Sequence, residues 1–115
     1  MSKLLNRLQN ALNSINDINF ILTTNEIKIT SAIEDKILKP AIRMHIVKIA
    51  EMFSKLKDDN EFKILEHFES KDLKGLSAVR NFIAHDYDSV DDLIIEDVVR
   101  LNLPKIKMII ENLIN

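Results

Sequence analysis

The chain has a single glycine, Gly75, among its 115 residues. Sheet proteins use glycine for hairpin turns, bulges and backbone with positive φ, so this count argues against a β fold. It also excludes the glycine-rich loops that hold nucleotide phosphates. Hydrophobic residues make up 46% of the chain and charged residues 30%, a mixture that can fill a core and coat a surface. The sequence therefore predicts an all-α protein.

Apolar residues recur at steps of three and four along most of the chain, which is the helical period. The predicted helices cover residues 4–22, 26–39, 41–56, 70–84, 93–101 and 104–114, with a short segment through 62–68. A break near Pro40 is favoured over one kinked helix. The predicted architecture is an antiparallel up-and-down bundle of four main helices plus a short C-terminal helix. We expect one domain over residues 1–115.

Local signals mark several helix ends. Ser2 can cap the first helix, and the cluster 23–25 can end it and cap the next helix. Asp59 or Asn60 can cap the short segment after the second long helix. Gly75 lies inside a predicted helix, where glycine costs about 1 kcal/mol relative to alanine. We therefore expect a close packing contact at Gly75.

Composition also restricts the class of protein. The absence of cysteine excludes a disulfide scaffold, thiolate zinc sites and cysteine catalysis, and it suits a reducing cytosol. The first residues show no signal-peptide pattern, and no apolar run approaches about 18 residues. We therefore expect a cytoplasmic protein with no membrane partner. The net charge of −2 and the pI near 5.9 predict that any contact with nucleic acid is confined to a local site.

Metal and cofactor sites find little support in the sequence. His45 and His67 lie on the polar sides of helical patterns without a second ligand at metal spacing, so we interpret them as surface or boundary residues. Four aspartates are clustered late in the chain, and we favour capping and a solvated loop over a metal site. They are Asp86, Asp88, Asp91 and Asp92. We expect no metal and no other cofactor.

The candidate chemistry lies between Arg80 and Tyr87, where an arginine, a histidine and the only tyrosine occur within eight residues. His85 can act as general base or acid near neutral pH, and Arg80 can bind a phosphate and offset charge that develops on it. RNA supplies its own nucleophile, the 2′-hydroxyl, so these residue types fit metal-free cleavage of RNA rather than DNA.

The spacing of these residues leaves two interpretations open. Positions five apart lie about 140° apart around an ideal helix. Arg80 and His85 therefore converge only if the helix ends or distorts near Ala84, or if a second subunit completes the site. The residues alone equally fit an arginine that caps a helix end and a histidine that fixes a turn.

The segment Arg80-Asn81-x-x-x-His85-x-Tyr87 resembles the Arg-x4-His-x-Tyr signature of HEPN-domain proteins. The most similar group is the HepT toxins, which pair with minimal nucleotidyltransferases. The run 46–51 resembles the second long helix of this family, and 101–106 is similar to the Leu-Pro-x-Leu opening of its last helix. Two features depart from the family pattern. Ala50 stands where glycine is usual, and the tryptophan that commonly precedes the third helix is absent.

The resemblance implies a dimeric helical bundle with active clefts at the dimer interface. It implies a metal-independent endoribonuclease toxin of a type VII toxin–antitoxin system, with tRNA as its substrate. Arg80 and His85 are then catalytic, and Asn81 supports them. Tyr87 is then the residue that a cognate nucleotidyltransferase antitoxin adenylylates to neutralise the toxin.

Two other functions are compatible with the sequence. One is a non-catalytic HEPN subunit of a nucleotidyltransferase complex, which the acidic pI and the few arginines favour mildly. The other is a plain dimeric bundle without a site. Dimerisation has a rationale of its own, because Phe20, Ile29, Met44 and Met52 lie off the main apolar stripes. A bundle this small cannot bury them all, and exposed apolar patches mark interfaces.

Overall fold

A computed structural model describes residues 2–85 and 92–115, with side chains for all of these except residues 84 and 85. The helices are α1 (Lys3–Thr24), α2 (Ile29–Ala32), α3 (Leu38–Asp58), α4 (Phe62–Leu65), α5 (Ser70–His85), α6 (Asp92–Asp97) and α7 (Leu103–Ile114), with a π-helix (Val98–Asn102) between α6 and α7. The described residues contain no strand, so the all-α prediction is confirmed.

Helix α3 is the centre of the bundle. It packs against α1 on one side and α5 on the other, while α7 packs against α1. The ion pair between Arg7 and Asp59 joins the start of α1 to the end of α3, so these two helices are antiparallel. The apolar stripes meet in one core, whose largest fully buried side chains include Leu8, Ile15, Ile18, Ile42, Ile46, Ile49, Leu76, Ile106 and Ile110.

The helix predicted over 26–39 is wrong for most of its length. Within this range only Ile29–Ala32 and the first two residues of α3, Leu38 and Lys39, are helical. Glu26 has a φ of 54°, a left-handed conformation that an α-helix cannot continue through. The buried side chains of Ile29 and Ile33 fasten this segment to the core without a long helix.

The start of α3 depends on Asp35. Its carboxylate accepts hydrogen bonds from the backbone N–H groups of Ile37, at 2.8 Å, and Leu38, at 2.9 Å. These two N–H groups have no partner inside the helix, so the carboxylate satisfies them. The same hydrogen bonds, first from Leu38 and then from Ile37, lower the pKa of the Asp35 carboxyl. Pro40 therefore lies in the first turn of α3, and the predicted break near it is confirmed.

The other predicted caps have mixed outcomes. Ser2 caps α1 as expected, because its hydroxyl accepts from the Leu5 N–H at 3.1 Å. The cluster 23–25 ends α1 but does not cap the next helix, since Lys28 stands at the N-cap of α2. Neither Asp59 nor Asn60 caps α4. Asp59 instead forms ion pairs with Lys3 and Arg7, while Asn60 adopts a φ of 60°.

The C-terminal helices follow one another without a break, rather than as two separate helices. The π-helix joins α6 to α7, and Pro104 lies in the first turn of α7 as predicted. A Cβ on Gly75 would lie 3.1 Å from Asn102 Oδ1, so the expected close contact is confirmed. The Asn102 amide also donates to the buried Asp72 carboxylate at 2.7 Å. This junction fastens α5 to the π-helix.

The prediction that the bundle cannot bury all four off-stripe apolar residues is confirmed. Phe20 and Met44 are exposed, whereas Ile29 and Met52 are buried. Because α3 packs on two neighbours, its apolar face is wider than a single stripe and takes in Met52.

Candidate active site

The guanidinium of Arg80 is held by two side chains of α3. Its Nε donates to Glu51 Oε1 at 3.2 Å, and its Nη1 donates to Ser54 Oγ at 3.3 Å. Glu51 and Ser54 are three residues apart, which places them on one face of α3. Nη2 has no hydrogen-bond partner among the described residues, and 39% of the Arg80 side chain is exposed. The arginine is thus oriented by α3 and can still donate to an anion.

An open cleft of about 500 Å³ lies between α3 and α5, beside Arg80. Its polar lining is Arg80, Asn81, Lys57, Lys74, Ser54, Ser70 and Ser77, and its apolar lining is Ala50, Phe53, Leu65, Phe68, Leu73 and Leu76. The rings of Phe53 and Phe68 pack edge to face with centroids 4.9 Å apart. Within the described part of the chain, no carboxylate lines this cleft. The α3–α5 cleft therefore combines cations with an apolar wall, the pattern of sites for small anionic ligands.

The predicted site residues are only partly within the described structure. Arg80 and Asn81 both line the cleft, and Asn81 is exposed. The backbone of His85 is described as the last residue of α5, whereas its side chain and the whole of Tyr87 lie outside the described residues. Two of the four predicted residues are thus placed beside one another at the cleft.

Helix α5 excludes one of the interpretations that the sequence allows. It is α-helical from Arg80 through His85, the last described residue of the helix, so no distortion precedes Ala84. The Cα atoms of Arg80 and His85 are therefore about 140° apart around the axis. Arg80 binds side chains in the middle of α3, so its interpretation as a cap of a helix end is wrong. A helix end close to Ala84 and completion by a second subunit both stay possible as ways for the two residues to converge.

Sequence reasoning missed Glu51 and Ser54. Glu51 lies at the end of the run 46–51, but no role followed from that position alone. The available signal for a polar contact was a pair of polar residues three positions apart, next to the apolar stripe of α3. Their partner could not be identified, because Arg80 is 29 residues away from Glu51 in the chain.

A second groove, of about 620 Å³, lies between α1 and α3. It carries both signs of charge. Its charged lining residues are Arg7, Lys48, Lys55, Asp17 and Glu51, and its apolar lining includes Met44, Val47 and Met52. Glu51 lines this α1–α3 groove while its Oε1 accepts from Arg80, so one carboxylate connects the two sides of α3.

The two histidines with described side chains differ in their surroundings. His67 is exposed, in agreement with its interpretation as a surface residue. His45 is half-buried on α3, and its Nδ1 is buried with no hydrogen-bond partner in the described structure. Burial lowers the pKa of His45, Asp17 opposes this shift, and Lys48 adds to it. His45 is a boundary residue whose neutral form is favoured.

The described side chains contain no group of three or more metal-ligating residues. Asp92 forms ion pairs with Lys39, at 3.0 Å, and Arg43, at 3.5 Å, while the other aspartates of its cluster lie outside the described residues. Across 2–85 and 92–115, no helix has the length and hydrophobicity needed to span a bilayer.

The helical bundle carries an oriented arginine beside a cationic cleft, an arrangement whose donors suit a phosphate group. The family model described as "Ribonuclease HepT-like" matches residues 5–113. The chain therefore belongs to the HepT-like ribonuclease family, as the resemblance in its sequence predicted. Comparison with curated proteins and with solved structures gives no match.

Proposed function

We propose that the chain is an endoribonuclease toxin of a type VII toxin–antitoxin system that cleaves tRNA without a metal ion. The observation that carries this proposal is the Arg80 guanidinium, which Glu51 and Ser54 hold at the wall of the α3–α5 cleft. A guanidinium that is already oriented can bind the scissile phosphate without further ordering. Membership of a ribonuclease family supports the same reaction.

In this proposal Arg80 and His85 are the catalytic residues. His85 takes the proton of the RNA 2′-hydroxyl as the 2′-oxygen bonds to phosphorus. The bond from phosphorus to the 5′-oxygen breaks, and that oxygen takes a proton from solvent. The products are a 2′,3′-cyclic phosphate and a 5′-hydroxyl. Arg80 donates to the phosphate as charge develops on it, and Asn81 supports the site from the next position on α5.

The active form in this proposal is a homodimer of single-domain subunits, each spanning residues 1–115, in the cytoplasm. Two observations support a dimer. The Cα atoms of Arg80 and His85 lie about 140° apart around α5, so a second copy would help to complete the site. Phe20 and Met44 are exposed on α1 and α3, where a second copy could cover them. Gel filtration at the mass of a monomer in dilute solution would contradict the composite site.

Regulation acts through Tyr87 in this proposal. A cognate minimal nucleotidyltransferase moves AMP from ATP to the tyrosine oxygen and releases pyrophosphate. The adenylate adds bulk and negative charge two residues after His85. It would repel the RNA backbone and occupy space beside the site.

The test of cleavage compares the intact protein with His85→Ala, each purified and incubated with total tRNA in the presence of a chelator. We expect cleavage by the intact protein alone, with 2′,3′-cyclic phosphate ends. Equal cleavage by both proteins, or none by the intact one, rejects the catalytic assignment. If cleavage requires added divalent cations, the metal-independent mechanism is wrong. Inactivity together with a tight complex with the neighbouring gene's product favours the non-catalytic alternative.

The test of regulation is mass spectrometry of the chain expressed from its native operon, with Tyr87→Phe as the matched control. We expect a mass increment of one or more adenylates on the peptide that contains Tyr87. The Phe variant should stay unmodified and arrest growth even with the partner present. An unmodified Tyr87 under conditions in which the partner protects cells would reject this form of regulation.

A further inference from the structure

We propose that the α3–α5 cleft holds the RNA backbone adjacent to the scissile phosphate, and that Lys57 and Lys74 bind its phosphates. This inference rests on the proposed function, in which Arg80 contacts the scissile phosphate. It adds a binding site for the flanking nucleotide, formed by residues outside the Arg-x4-His-x-Tyr segment.

The two lysines lie on opposite walls of the cleft. Lys57 follows Ser54 by three residues on α3, and Lys74 precedes Ser77 by three residues on α5. Each pair therefore lies on one helix face, with a hydroxyl one turn from an ammonium. Along α5, Lys74 is about 9 Å from Arg80, given a rise of 1.5 Å per residue. A short RNA segment that starts at Arg80 can therefore follow the cleft to Lys74.

Two of the three cations of the cleft are not neutralised, whereas Arg80 is paired with Glu51. Neither Lys57 nor Lys74 forms an ion pair with any described residue, and both are exposed. By contrast, Lys3 and Lys39 are paired with Asp59 and Asp92. The chain has 18 acidic and 16 basic residues, yet the described lining of this cleft holds three cations and no carboxylate. Such local segregation of charge attracts a polyanion.

The remaining lining fits a nucleotide better than an isolated phosphate. Ser54, Ser70 and Ser77 supply hydroxyls that can donate to phosphate or to sugar oxygens. Leu65 and Leu73 are half-buried and contribute apolar surface against which a ribose can lie, whereas the rings of Phe53 and Phe68 are almost fully buried. A cleft of about 500 Å³ is within the size range of pockets for small ligands.

The test measures the salt dependence of binding to a fluorescent single-stranded RNA in which every 2′-hydroxyl is methylated. This probe cannot be cleaved, because it lacks the nucleophile. The intact protein is compared with Lys57→Gln/Lys74→Gln and with the control Lys28→Gln/Lys36→Gln. The control removes the same charge from two exposed lysines that do not line the cleft. Cleavage of ordinary RNA by the intact protein is measured separately.

Each phosphate contact on a single strand contributes about 0.7 to the slope of log affinity against log salt. The Lys57→Gln/Lys74→Gln variant should therefore have a slope that is smaller by about 1.4. Over one decade of salt, from 1 M down to 0.1 M, this difference amounts to roughly 25-fold weaker binding. The control should match the intact protein. Equal slopes for the two variants, or no binding of the probe by the intact protein, would overturn the assignment of the cleft.

Two further results separate this inference from the proposed function and from a protein interface. If the intact protein binds the probe through the lysines but cleaves no RNA, the nuclease assignment fails and the binding site stands. If the cleft variant alone changes oligomeric mass in light scattering while probe binding is unchanged, the cleft is a contact between copies. That result would overturn RNA as its occupant.

Discussion

The grooves on the two sides of α3 have similar volumes, but one is lined by cations alone and the other by charges of both signs. The α3–α5 cleft, of about 500 Å³, carries only cations among its described charged lining residues. The α1–α3 groove, of about 620 Å³, has basic and acidic residues together. The difference arises from the neighbouring helices and from the two faces of α3, which contributes Lys57 to the first and Glu51 to the second. Helix α5 adds Lys74 and Arg80, whereas α1 adds Arg7 and Asp17.

This difference shows how an acidic protein can still present a cationic site. The net charge of −2 averages over all faces of the bundle and does not describe any one of them. Glu51 is the link between the two sides, because it lines the α1–α3 groove and accepts from Arg80. The carboxylate orients the guanidinium without itself lining the α3–α5 cleft.

The largest expected effect is the loss of Arg80. We expect Arg80→Ala to lower single-turnover RNA cleavage by about 100- to 1000-fold, because it removes a donor that acts on charge developing in the transition state. Lys55→Ala, which removes a cation from the α1–α3 groove, is the control and should leave the rate unchanged. Equal losses in the two variants would mean that the two sides of α3 do not differ in function.

A smaller loss is expected at Glu51, which acts as a positioning residue. Glu51→Leu removes the acceptor for Arg80 Nε, and misplacement of a reacting group costs up to about 100-fold. We expect this loss in kcat rather than in KM. Glu51→Gln keeps an oxygen at that position and should recover most of the rate. If Gln and Leu are equally impaired while thermal unfolding is unchanged, the hydrogen bond does not position Arg80.

The hydrogen bond between Asn102 and Asp72 fastens α5, which forms one wall of the cleft, and substitutions at these two residues test how much it stabilises the fold. Asn102→Ala removes the described partner of the buried Asp72 carboxylate, and an unsatisfied buried group of this kind costs about 2 to 3 kcal/mol. Urea unfolding should show this loss. Asn102→Ala/Asp72→Leu, which removes both partners, should regain part of it. No recovery would mean that the cost is not due to the unpaired carboxylate.

A smaller change in the free energy of unfolding is expected at Gly75, and its sign depends on the hydrogen bond between Asn102 and Asp72. Alanine at this position gains about 1 kcal/mol of helix propensity. In the intact chain, however, its Cβ meets Asn102 Oδ1 at 3.1 Å, and the bond to Asp72 limits how far Asn102 can move. We expect Gly75→Ala to destabilise the intact protein but to stabilise Asn102→Ala. The same sign in both backgrounds, in chemical unfolding, would contradict this account.

The smallest effect concerns pH and belongs to the α1–α3 side. Burial lowers the pKa of His45 below its ordinary value near 6.5, although Asp17 raises it. The unfolded chain therefore binds the proton more readily, and the free energy of unfolding falls as pH drops through about 6.5. The free energy of unfolding stops falling once the pH is below the pKa that His45 has in the folded chain. His45→Leu should flatten this part of the pH profile, and an unchanged profile would show that His45 does not contribute.

Much of the fold follows from patterns local in sequence. The predictions for Ser2, Pro40 and Gly75 are confirmed, since capping, a proline in the first turn and a glycine inside a helix each have few physical explanations. The helix predicted over 26–39 is wrong, because helical spacing of apolar residues does not reveal a left-handed residue at Glu26 or a cap at Asp35.

The helical class, the family and the segment that contains Arg80, Asn81, His85 and Tyr87 can all be predicted from the sequence alone. These depend on periodicity and on residues close together in the chain. By contrast, the contacts of Glu51 and Ser54 with Arg80, and the presence of Lys57 and Lys74 in the same cleft, are found only in the folded chain. The reason is that these contacts join α3 to α5. Which faces of two packed helices meet depends on the whole core, and no short stretch of sequence contains that information.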